Sequence, residues 1–403
     1  MLKRIAFIGL SIIIGLCSKP AIAQQKTSLN GGTTTGSVLP ETGVPFLRIS
    51  PDARSGGMGD VGIGLSPDAN SQYWDVAKIP FTNKMYGISA TYTPWLKDLV
   101  PDIFLAYIAG YFKFGADSSQ AISASMRYFS LGNINYTDIN AQPIGTGMPR
   151  EFSFDAGYSI RLSPYLSAGA SLRYIHSDIA SGAGAQQGLD YKPANAFAAD
   201  LGMFYTKTHE IDEFRSSTFN IGAILSNVGS KVSYSSQRSD WIPVNLGIGA
   251  AYTYQSDAYN KITFAVDMNK LLVPTPHTAD SSGNVTIESP GNIALAPGIF
   301  QSFGDAPGGF SGEMRQIDIS AGVEYWYQNQ FALRAGYFYE NPQNGDRKYF
   351  SCGIGVKYNI FTLNASYLVP SGSGIERNPL SNTVRFSLMF EFDKIEKQNS
   401  TTE

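Results

Sequence analysis

The stretch FSFDAGYSIRL, Phe152–Leu162, alternates apolar residues with polar or small residues along its whole length. Successive side chains of a β-strand point to opposite faces of a sheet, so this stretch predicts a strand with one apolar and one polar face. The same alternation recurs further along the chain, in Leu166–Tyr174, Ile317–Tyr325, Phe361–Val369 and Val384–Phe392. The pattern predicts an all-β protein.

The length of the alternating stretches separates two all-β architectures. A tilted strand of a membrane barrel needs about 9–11 residues, whereas strands of soluble domains are most often about 5–6 residues long. The stretches here match the longer class, and aromatic residues gather at their ends, as in Tyr325–Tyr327 and Tyr337–Tyr339. Aromatic girdles at both interfaces are typical of outer-membrane barrels. A soluble β-sandwich, which would turn its apolar faces inward, stays open as the alternative.

The connections between the stretches are alternately long and short. Bacterial outer-membrane barrels combine long outer loops with short periplasmic turns, so the rhythm favours an even number of strands. We predict a transmembrane antiparallel β-barrel of about 14 strands, with both termini in the periplasm. Its strands are placed near 86–94, 103–114, 120–129, 151–162, 165–175, 196–207, 216–228, 243–254, 260–268, 315–327, 331–340, 347–358, 360–368 and 382–392.

The first residues have the organisation of a secretory signal peptide. Lys3 and Arg4 precede the apolar stretch Ile5–Leu16, and the small residues Ala21 and Ala23 frame a cleavage site. The apolar stretch is shorter than the roughly 20 residues that a transmembrane helix needs. We therefore predict export, cleavage near Ala23 and a location in the outer membrane of a Gram-negative bacterium.

The composition then divides the chain into five segments. The residues after the predicted cleavage site are rich in Gly, Thr and Ser, which is typical of a flexible segment. The predicted segments are the signal peptide 1–23, a flexible periplasmic leader 24–43, an N-terminal hatch 44–85, the barrel 86–392 and a periplasmic tail 393–403.

The predicted hatch is rich in glycine but also contains apolar residues and potential helix caps. Asp52 and Asp68 can accept hydrogen bonds from backbone N–H groups at a turn or a helix start. A nucleotide-binding loop would need a Gly-Lys-Ser/Thr sequence and a βαβ unit, and this segment has neither. We therefore expect a folded plug inside the barrel. The candidate hatch residues are Asp52, Arg54, Gly56, Gly57, Gly59, Asp60, Asp68, Asn70 and Trp74.

Charged residues occupy the polar face of many predicted strands. Charges of both signs favour a hydrated or cross-linked lumen, and mutual pairing is favoured over a selectivity role. The predicted lumen charges are Asp155, Arg161, Arg173, Asp200, Asp267, Asp318, Glu324, Arg334, Lys357, Arg385 and Glu391.

Patterns for catalysis and metal binding are weak. His176 and His209 are predicted to lie at opposite ends of the barrel, and His209-Glu210 lacks the second histidine of a zincin motif. Cys352 is the only cysteine after the signal peptide, so we predict neither a disulfide nor a cysteine metal cluster. The formal net charge of −3, without a basic cluster, argues against a nucleic-acid partner. We predict no catalytic residue, no cofactor and no metal site.

The hatch carries a resemblance to a known family. Ala53–Asp60, Ser66–Asn70 and Trp74–Lys78 resemble the N-terminal hatch of the FadL-type outer-membrane superfamily. Two further stretches, Tyr92–Leu96 and Arg127–Gly132, resemble the PorV family, whose members are barrel components of the type IX secretion system. The resemblance is strongest over residues 44–135 and implies a FadL-like barrel of fourteen strands.

What the resemblance implies is a non-enzymatic role in protein secretion. Members of this family dock on the translocon pore protein and bind the C-terminal signal domain of exported cargo. They deliver the cargo to a surface complex with a sortase-like signal peptidase, which attaches it to lipopolysaccharide of the outer membrane. Two other functions stay open. A FadL-type transporter of hydrophobic small molecules fits the charged lumen less well, and a lipid A deacylase lacks a supporting Ser-His motif.

The outer loops would be the working surface under this interpretation. The longest predicted loop, Asn269–Gln316, contains an apolar stretch, and exposed apolar patches often mark protein contacts. A lid over the barrel mouth would explain the same residues equally well. The candidate contact residues are Trp95, Leu96, Leu99, Ile293, Leu295, Ile299 and Phe300.

Overall fold

The fold is described from a computed structural model. It describes residues 40, 42–95, 102–137, 140–181, 190–236, 238–275, 290–306, 308–369 and 383–393. The predicted signal peptide, most of the predicted leader and residues 394–403 lie outside these ranges, as do Leu96 and Leu99.

Fourteen of the strands form a closed antiparallel barrel. Each barrel strand pairs with the barrel strands before and after it, and the pairing of the first with the last, from Tyr86 opposite Phe392 to Tyr92 opposite Phe386, closes the cylinder. The predicted fold class is therefore confirmed. The barrel strands are β1 Tyr86–Pro94, β2 Ile103–Phe114, β3 Gln120–Leu131, β6 Arg150–Arg161, β7 Leu166–Asp178, β8 Ala194–Glu210, β9 Ser216–Gly229, β10 Asn245–Gln255, β11 Asn260–Leu271, β12 Ile317–Tyr327, β13 Phe331–Tyr339, β14 Lys348–Tyr358, β15 Phe361–Val369 and β16 Val384–Phe392.

The two faces of the barrel wall are the reverse of those in a soluble sandwich. On β6, the apolar side chain of Phe154 is 47% exposed, whereas its neighbours Ser153 and Asp155 are 0% and 4% exposed. Leu172 on β7 is 71% exposed. The apolar face thus points outward and the polar face into the lumen, as in a membrane barrel.

The connections distinguish the two ends of the barrel. Those between β2 and β3, β14 and β15 and other alternate pairs are short turns, whereas residues 272–316 between β11 and β12 form a long loop at the opposite end. We call the end with the long loops the outer end. None of the helices in the described part of the chain combines the length and apolarity needed to cross a membrane.

One outer connection contains structure that the sequence patterns did not predict. Between β3 and β6, the short strands β4 Ile134–Thr137 and β5 Pro143–Gly147 form a separate two-stranded sheet. Strands of this length carry too few residues for a clear alternation. The neighbouring barrel strands pair directly across this insertion.

The N-terminal segment forms short helices inside the barrel. Asp52 caps one of them, because its carboxylate accepts a hydrogen bond from the Ser55 N–H at 2.8 Å. The Asp75 carboxylate accepts one from the Ala77 N–H at 2.9 Å at the start of another. The helices of the segment are Pro45–Arg48, Ala53–Gly56, Ser71–Trp74 and Val76–Phe81. Outside it lie Ala116–Ser118, Pro290–Asn292, Leu295–Gln301, Phe310–Arg315 and Pro342–Asn344.

The described chain enters the barrel from the outer end. The Gly43 N–H donates a hydrogen bond to the Trp241 carbonyl at 2.8 Å, and Trp241 lies in the outer connection between β9 and β10. The helix Val76–Phe81 lies at the periplasmic end, where Arg161 donates to the Pro80 carbonyl at 2.8 Å. The prediction that the chain up to residue 43 lies in the periplasm is therefore wrong for its last residues. Sequence patterning carries no signal for the direction in which a plug threads a barrel.

An apolar cluster closes the outer end around this entry point. We call it the mouth cluster. It consists of Val44, Phe46, Leu47, Leu105, Phe129, Ile175, Ala194, Ala196, Ala198, Val232, Trp241, Ile242, Val244, Leu272 and Val273.

Candidate functional site

Arg54 joins the plug to the barrel wall. Its guanidinium donates to both carboxylate oxygens of Glu324 on β12, at 2.9 and 3.0 Å, and to Asp68 of the plug at 3.1 Å. Glu324 also accepts from Arg334 on β13 at 2.7 Å. Although burial lowers it, the two carboxylates raise the pKa of Arg54 above its ordinary value. The pairing predicted for the lumen charges is confirmed at these positions.

Asp60 forms a second link between plug and wall. Its carboxylate accepts from Arg385 on β16 at 2.8 Å and from the Tyr349 hydroxyl on β14 at 2.5 Å. The preceding residue, Gly59, has a φ of +74° and lies against the backbone of Tyr337 on β13. A side chain at Gly59 would collide with that strand, so glycine is required here.

The predicted hatch residues meet in one buried plug. The Trp74 indole N–H donates to Asp52 at 2.7 Å, and Asp68 accepts from the Asn70 N–H at 2.8 Å. Burial and the neighbouring Asp68 raise the pKa of Asp52. The remaining glycines of the set, Gly56 and Gly57, lie against Arg385 and Gly353 of the wall.

Other charged groups at the contact between plug and wall, and within the plug, are largely shut off from water. Asp267 on β11 accepts hydrogen bonds from the N–H groups of Gly62 and Ile63 at 2.7 and 2.8 Å. Lys78 donates to the Gly62 carbonyl at 2.6 Å, and burial lowers its pKa. Burial raises the pKa of Asp75 to about 8, so this carboxyl is largely protonated at neutral pH.

Two arginines that hold the N-terminal arm, residues 44–50, were not among the candidate site residues. Arg127 on β3 is 1% exposed and donates to the Leu47 carbonyl at 2.9 Å, and its guanidinium lies 4.6 Å from the ring centre of Tyr73. Arg48 forms an ion pair with Asp318 on β12 at 2.8 Å. The inward register of Arg127 on β3 is the sequence signal that could have identified it.

A further ion-pair network joins residues of the barrel wall to one another. Arg173 on β7 contacts Asp155 on β6 and Asp200 on β8, the latter at 2.9 Å, and also contacts Asn227 on β9. Arg173 and its three partners lie on four neighbouring strands, β6 to β9, so the network cross-links the lumen wall. It supports pairing rather than an ion-selective path.

A cavity of about 370 Å³ lies between the plug and the outer mouth. We call it the mouth cavity. The N-terminal arm, plug residues such as Asp60 and Tyr73, and the outer parts of the strands line it. Trp95 also lines it, half-buried against Phe129 with ring centres 5.1 Å apart. The predicted contact residue Trp95 therefore faces the mouth interior.

The long loop between β11 and β12 is fastened to the barrel mouth. Ile293, Leu295 and Ile299 pack against the mouth cluster. Lys231 donates to the carbonyls of Ile293 and, at 2.7 Å, Gly291. The predicted lid role fits these three apolar residues.

The same loop also presents apolar side chains to the outside. Phe300 is 77% exposed, in contrast to the other predicted residues of this loop. Phe310 and Met314, which were not predicted, are 81% and 51% exposed, and Phe303 is 49% exposed. We call these four residues the loop patch.

The histidines are far from forming a catalytic group. His176 on β7 shares a hydrogen bond with Asn195 at 2.8 Å and stacks on Phe152, whereas His209 lies near the periplasmic end of β8. His277 lies outside the described residues. Over the described ranges, no group of three or more His, Cys, Asp or Glu residues is placed to hold a metal ion.

Comparison with known proteins identifies the family to which the chain belongs. The sequence profile described as "Type IX secretion system protein PorV" matches residues 35–278. No curated protein sequence matches the chain.

Among solved structures, the similar ones are distant. The toluene transporter TbuX of Ralstonia pickettii is 10% identical, with a TM-score of 0.46 over 85% of this chain and 98% of that chain. The toluene transporter TodX of Pseudomonas putida is 10% identical, with a TM-score of 0.45 over 85% and 99%. A FadL homologue of Pseudomonas aeruginosa is 11% identical, with a TM-score of 0.40 over 88% and 99%. The profile match, by contrast, spans more than half of this chain, which therefore belongs to the PorV family and is an outer-membrane β-barrel of the type IX secretion system.

Proposed function

We propose that this barrel is a non-enzymatic docking platform that binds type IX cargo at its outer mouth. Membership of the family indicates the secretion system in which the barrel works. The exposed apolar side chains of the loop patch indicate which surface binds the cargo. Cargo would be recognised by its C-terminal signal domain, held next to the translocon pore protein, and passed to the sortase-like attachment complex that links it to lipopolysaccharide.

The loop patch supports this proposal because hydrogen bonds hold the described part of its loop in place while the four side chains stay exposed. Asp305 accepts hydrogen bonds from the Thr275 N–H at 2.8 Å and hydroxyl at 2.9 Å. Glu313 accepts from the Ala306 N–H and from Lys270, both at 2.7 Å. Exposed apolar groups on an anchored loop are typical of a protein-contact surface.

The plug favours docking of cargo on the outer face over passage of molecules through the lumen. Its ion pairs to β12 and β16 and its backbone contacts to β13 hold it inside the lumen, below the mouth cavity. Cargo on the outer face would therefore meet a closed surface. The proposal also includes cleavage of the signal peptide near Ala23, a hatch over 44–85, a barrel over 86–392 and a tail over 393–403.

The loop patch can be tested with the double substitution F300S/F310S. Both side chains are exposed, so we expect unchanged barrel folding and at least a tenfold loss of translocon and cargo in pull-downs of the tagged barrel. In cells that depend on this barrel, a reporter with a type IX C-terminal signal should also fail to reach the cell surface.

The matched control is Q301S, an exposed polar position on the same helix as Phe300. It should retain both partners. Recovery of cargo and translocon with the F300S/F310S barrel at the level of the unmodified protein would refute the loop patch as the docking surface.

The alternative, a transporter of hydrophobic small molecules, has one observation in its favour. The mouth cavity is large enough for such a molecule, since small-molecule pockets occupy about 300–1,000 Å³. Passage beyond the cavity would require the plug to leave contacts in which backbone touches backbone, such as Gly59 against Tyr337. The docking function is therefore the better supported of the two.

A further inference from the structure

The hairpin that joins β8 and β9 extends beyond the neighbouring wall at the periplasmic end of the barrel. The last pair between β7 and β8 is Leu166 opposite Tyr205, whereas β8 stays paired with β9 as far as Glu210. We call residues 206–216 the periplasmic hairpin. On the side that faces β7, none of the described strands pairs with residues 206–210, so this part of β8 is a strand edge.

This edge of β8 presents backbone groups to another strand. The Thr206 N–H donates to the Tyr165 carbonyl at 2.8 Å and therefore points towards β7. Because the peptide groups of a strand alternate in direction, those of Thr208 and Glu210 point to the same side, where no described strand lies. Such an edge favours the addition of an extended segment, whose backbone supplies the complementary hydrogen bonds.

The turn of the periplasmic hairpin is held in one conformation. The Asp212 carboxylate accepts hydrogen bonds from the Phe214 and Arg215 N–H groups at 3.1 and 2.8 Å. Asp212 also pairs with the Arg215 guanidinium at 2.6 Å, and the Ile211 N–H donates to the Arg215 carbonyl at 2.9 Å. The turn is therefore ordered before a partner binds, which lowers the entropy lost on association.

The ordered turn exposes two apolar side chains between carboxylates. Ile211 and Phe214 are 45% and 52% exposed, and the side chains of Glu210 and Glu213 are exposed beside them. Asp212 has its ion pair with the neighbouring arginine, whereas neither glutamate forms an ion pair with a described residue. This surface is complementary to a partner that carries both apolar and basic side chains.

The aromatic residues that mark the membrane interface lie where β7 ends, before the turn is reached. The rings of Tyr165 and Tyr205 have centres 6.4 Å apart, and the Lys207 Nζ lies 5.8 Å from the Tyr165 ring centre. Tyrosine is a typical interfacial residue. The glutamates of the turn, in contrast, are unfavourable next to the anionic headgroups of a membrane. A protein partner is therefore favoured over a lipid surface.

We propose that the periplasmic hairpin binds an extended, basic segment of a periplasmic protein. The segment adds to β8 as a strand along residues 206–210. Its Lys or Arg side chains pair with Glu210 and Glu213, and an apolar side chain packs on Phe214. This site is separate from the loop patch, which lies at the opposite end of the barrel.

The test is a titration of the full barrel in detergent with fluorescein-labelled hexapeptides, followed by fluorescence anisotropy. The probes are an alternating Lys-Val peptide, the corresponding Glu-Val peptide, and a Lys-Val peptide that is N-methylated at every residue. N-methylation keeps the charge but removes the N–H groups that would pair with the strand edge. We expect saturable binding of the first probe and no binding of the other two at the same concentrations.

Two variants assign this binding to the periplasmic hairpin. E210Q/E213Q and F214S change only exposed side chains, so the barrel should fold normally. Each should weaken binding of the Lys-Val peptide roughly fivefold, as expected for the loss of two exposed ion pairs or of one aromatic contact. D117N is the control, because Asp117 is an exposed acid on the turn between β2 and β3 at the same end. It should bind the peptide like the unmodified barrel.

A photo-crosslinking measurement tests the same site in the producing cells. Benzoylphenylalanine in place of Phe214 should join the barrel to a periplasmic protein, and the additional substitution E210Q/E213Q should abolish the product. The same group in place of Asn329, an exposed residue on the turn between β12 and β13, should give no such product.

The outcomes distinguish the proposed partner from the alternatives. Equal binding of all three peptides, full affinity in both hairpin variants, or crosslinks only to lipid or to a second copy of the barrel would overturn the proposal. The loop patch variant F300S/F310S should keep the periplasmic crosslink. A failure of cargo docking and a failure of the hairpin site can therefore be told apart.

Discussion

At the scale of single residues, Gly336 shows how closely the plug approaches the barrel wall. A Cβ atom built on this β13 residue would lie 1.9 Å from the Met58 carbonyl carbon and 2.1 Å from the Gly59 nitrogen. Both neighbours are backbone atoms, so they cannot rotate away. The close approach of the plug therefore requires glycine at this position, whereas the strand conformation itself does not.

The substitution G336A tests this contact. We expect it to displace the plug or the strand and to lower the free energy of unfolding by roughly 1–3 kcal/mol. The measurement is the temperature at which the barrel loses its fast, folded mobility on an unheated gel. G304A is the control, because a Cβ there would meet nothing within 4 Å. Equal temperatures for G336A and G304A would refute the contact.

Protonation of Asp75 makes the stability of the plugged barrel depend on pH. Burial raises its pKa to about 8, and its Oδ2 has no hydrogen-bond partner. In the unfolded chain an aspartate ionises near pH 3.9, roughly. Between about pH 4 and pH 8 the folded state therefore binds more protons than the unfolded state, and stability falls as the pH rises.

The substitution D75N should remove this slope. Asparagine keeps an oxygen for the Ala77 N–H but cannot ionise. For the unmodified barrel we expect a loss of up to about 1.4 kcal/mol per pH unit within the window. Urea unfolding at about pH 5 and about pH 8 measures it. An equally steep fall in D75N would place the pH dependence elsewhere.

At the scale of elements, the plug is a segment of short helices that ion pairs attach to the strands. Arg54 contributes the link to β12, and its side chain is 12% exposed while that of Glu324 is 2% exposed. Breaking one member of such a buried network leaves an uncompensated charge, which costs more than the pair contributes.

The substitution R54M keeps the length of the side chain and removes its charge. Asp68 and Glu324 would lose a partner, and we expect the free energy of unfolding to fall by about 3–5 kcal/mol. Urea unfolding monitored by fluorescence measures this loss. K84M is the comparison, because the Lys84–Asp393 pair is exposed and should contribute little. A similar small effect in both variants would show that Arg54 does not hold the plug.

The strands and the plug differ in how far the sequence predicts them. Alternation identifies every barrel strand, as on β6, because a wall between lipid and lumen imposes a period of two on its residues. The hairpin of β4 and β5 was missed because an outer loop lies between neither lipid nor lumen, so no period of two is imposed on its residues. The candidate hatch residues were identified by glycines and capping aspartates, but their partners Glu324 and Arg385 lie hundreds of positions away in the chain.

At the scale of the whole molecule, the closed barrel holds the plug in its lumen and the outer loop against its mouth. Closure removes free strand edges from the membrane, and inside the lumen the plug lies directly against the wall. Among the described residues of the outer end, those of the loop patch present apolar side chains to the outside. The proposed docking surface therefore lies at the outer end.

The sequence by itself determined the membrane barrel, its strand number, the lumen charges and a glycine-rich plug, because these follow from local periodicity and composition. Only the tertiary structure decided that the chain enters from the outer end, as the Gly43 contact to Trp241 shows. It also divided the long loop into residues that pack on the mouth and residues such as Phe300 that remain exposed. The physical reason is that burial of these groups depends on contacts between distant parts of the chain, to which local patterns are insensitive.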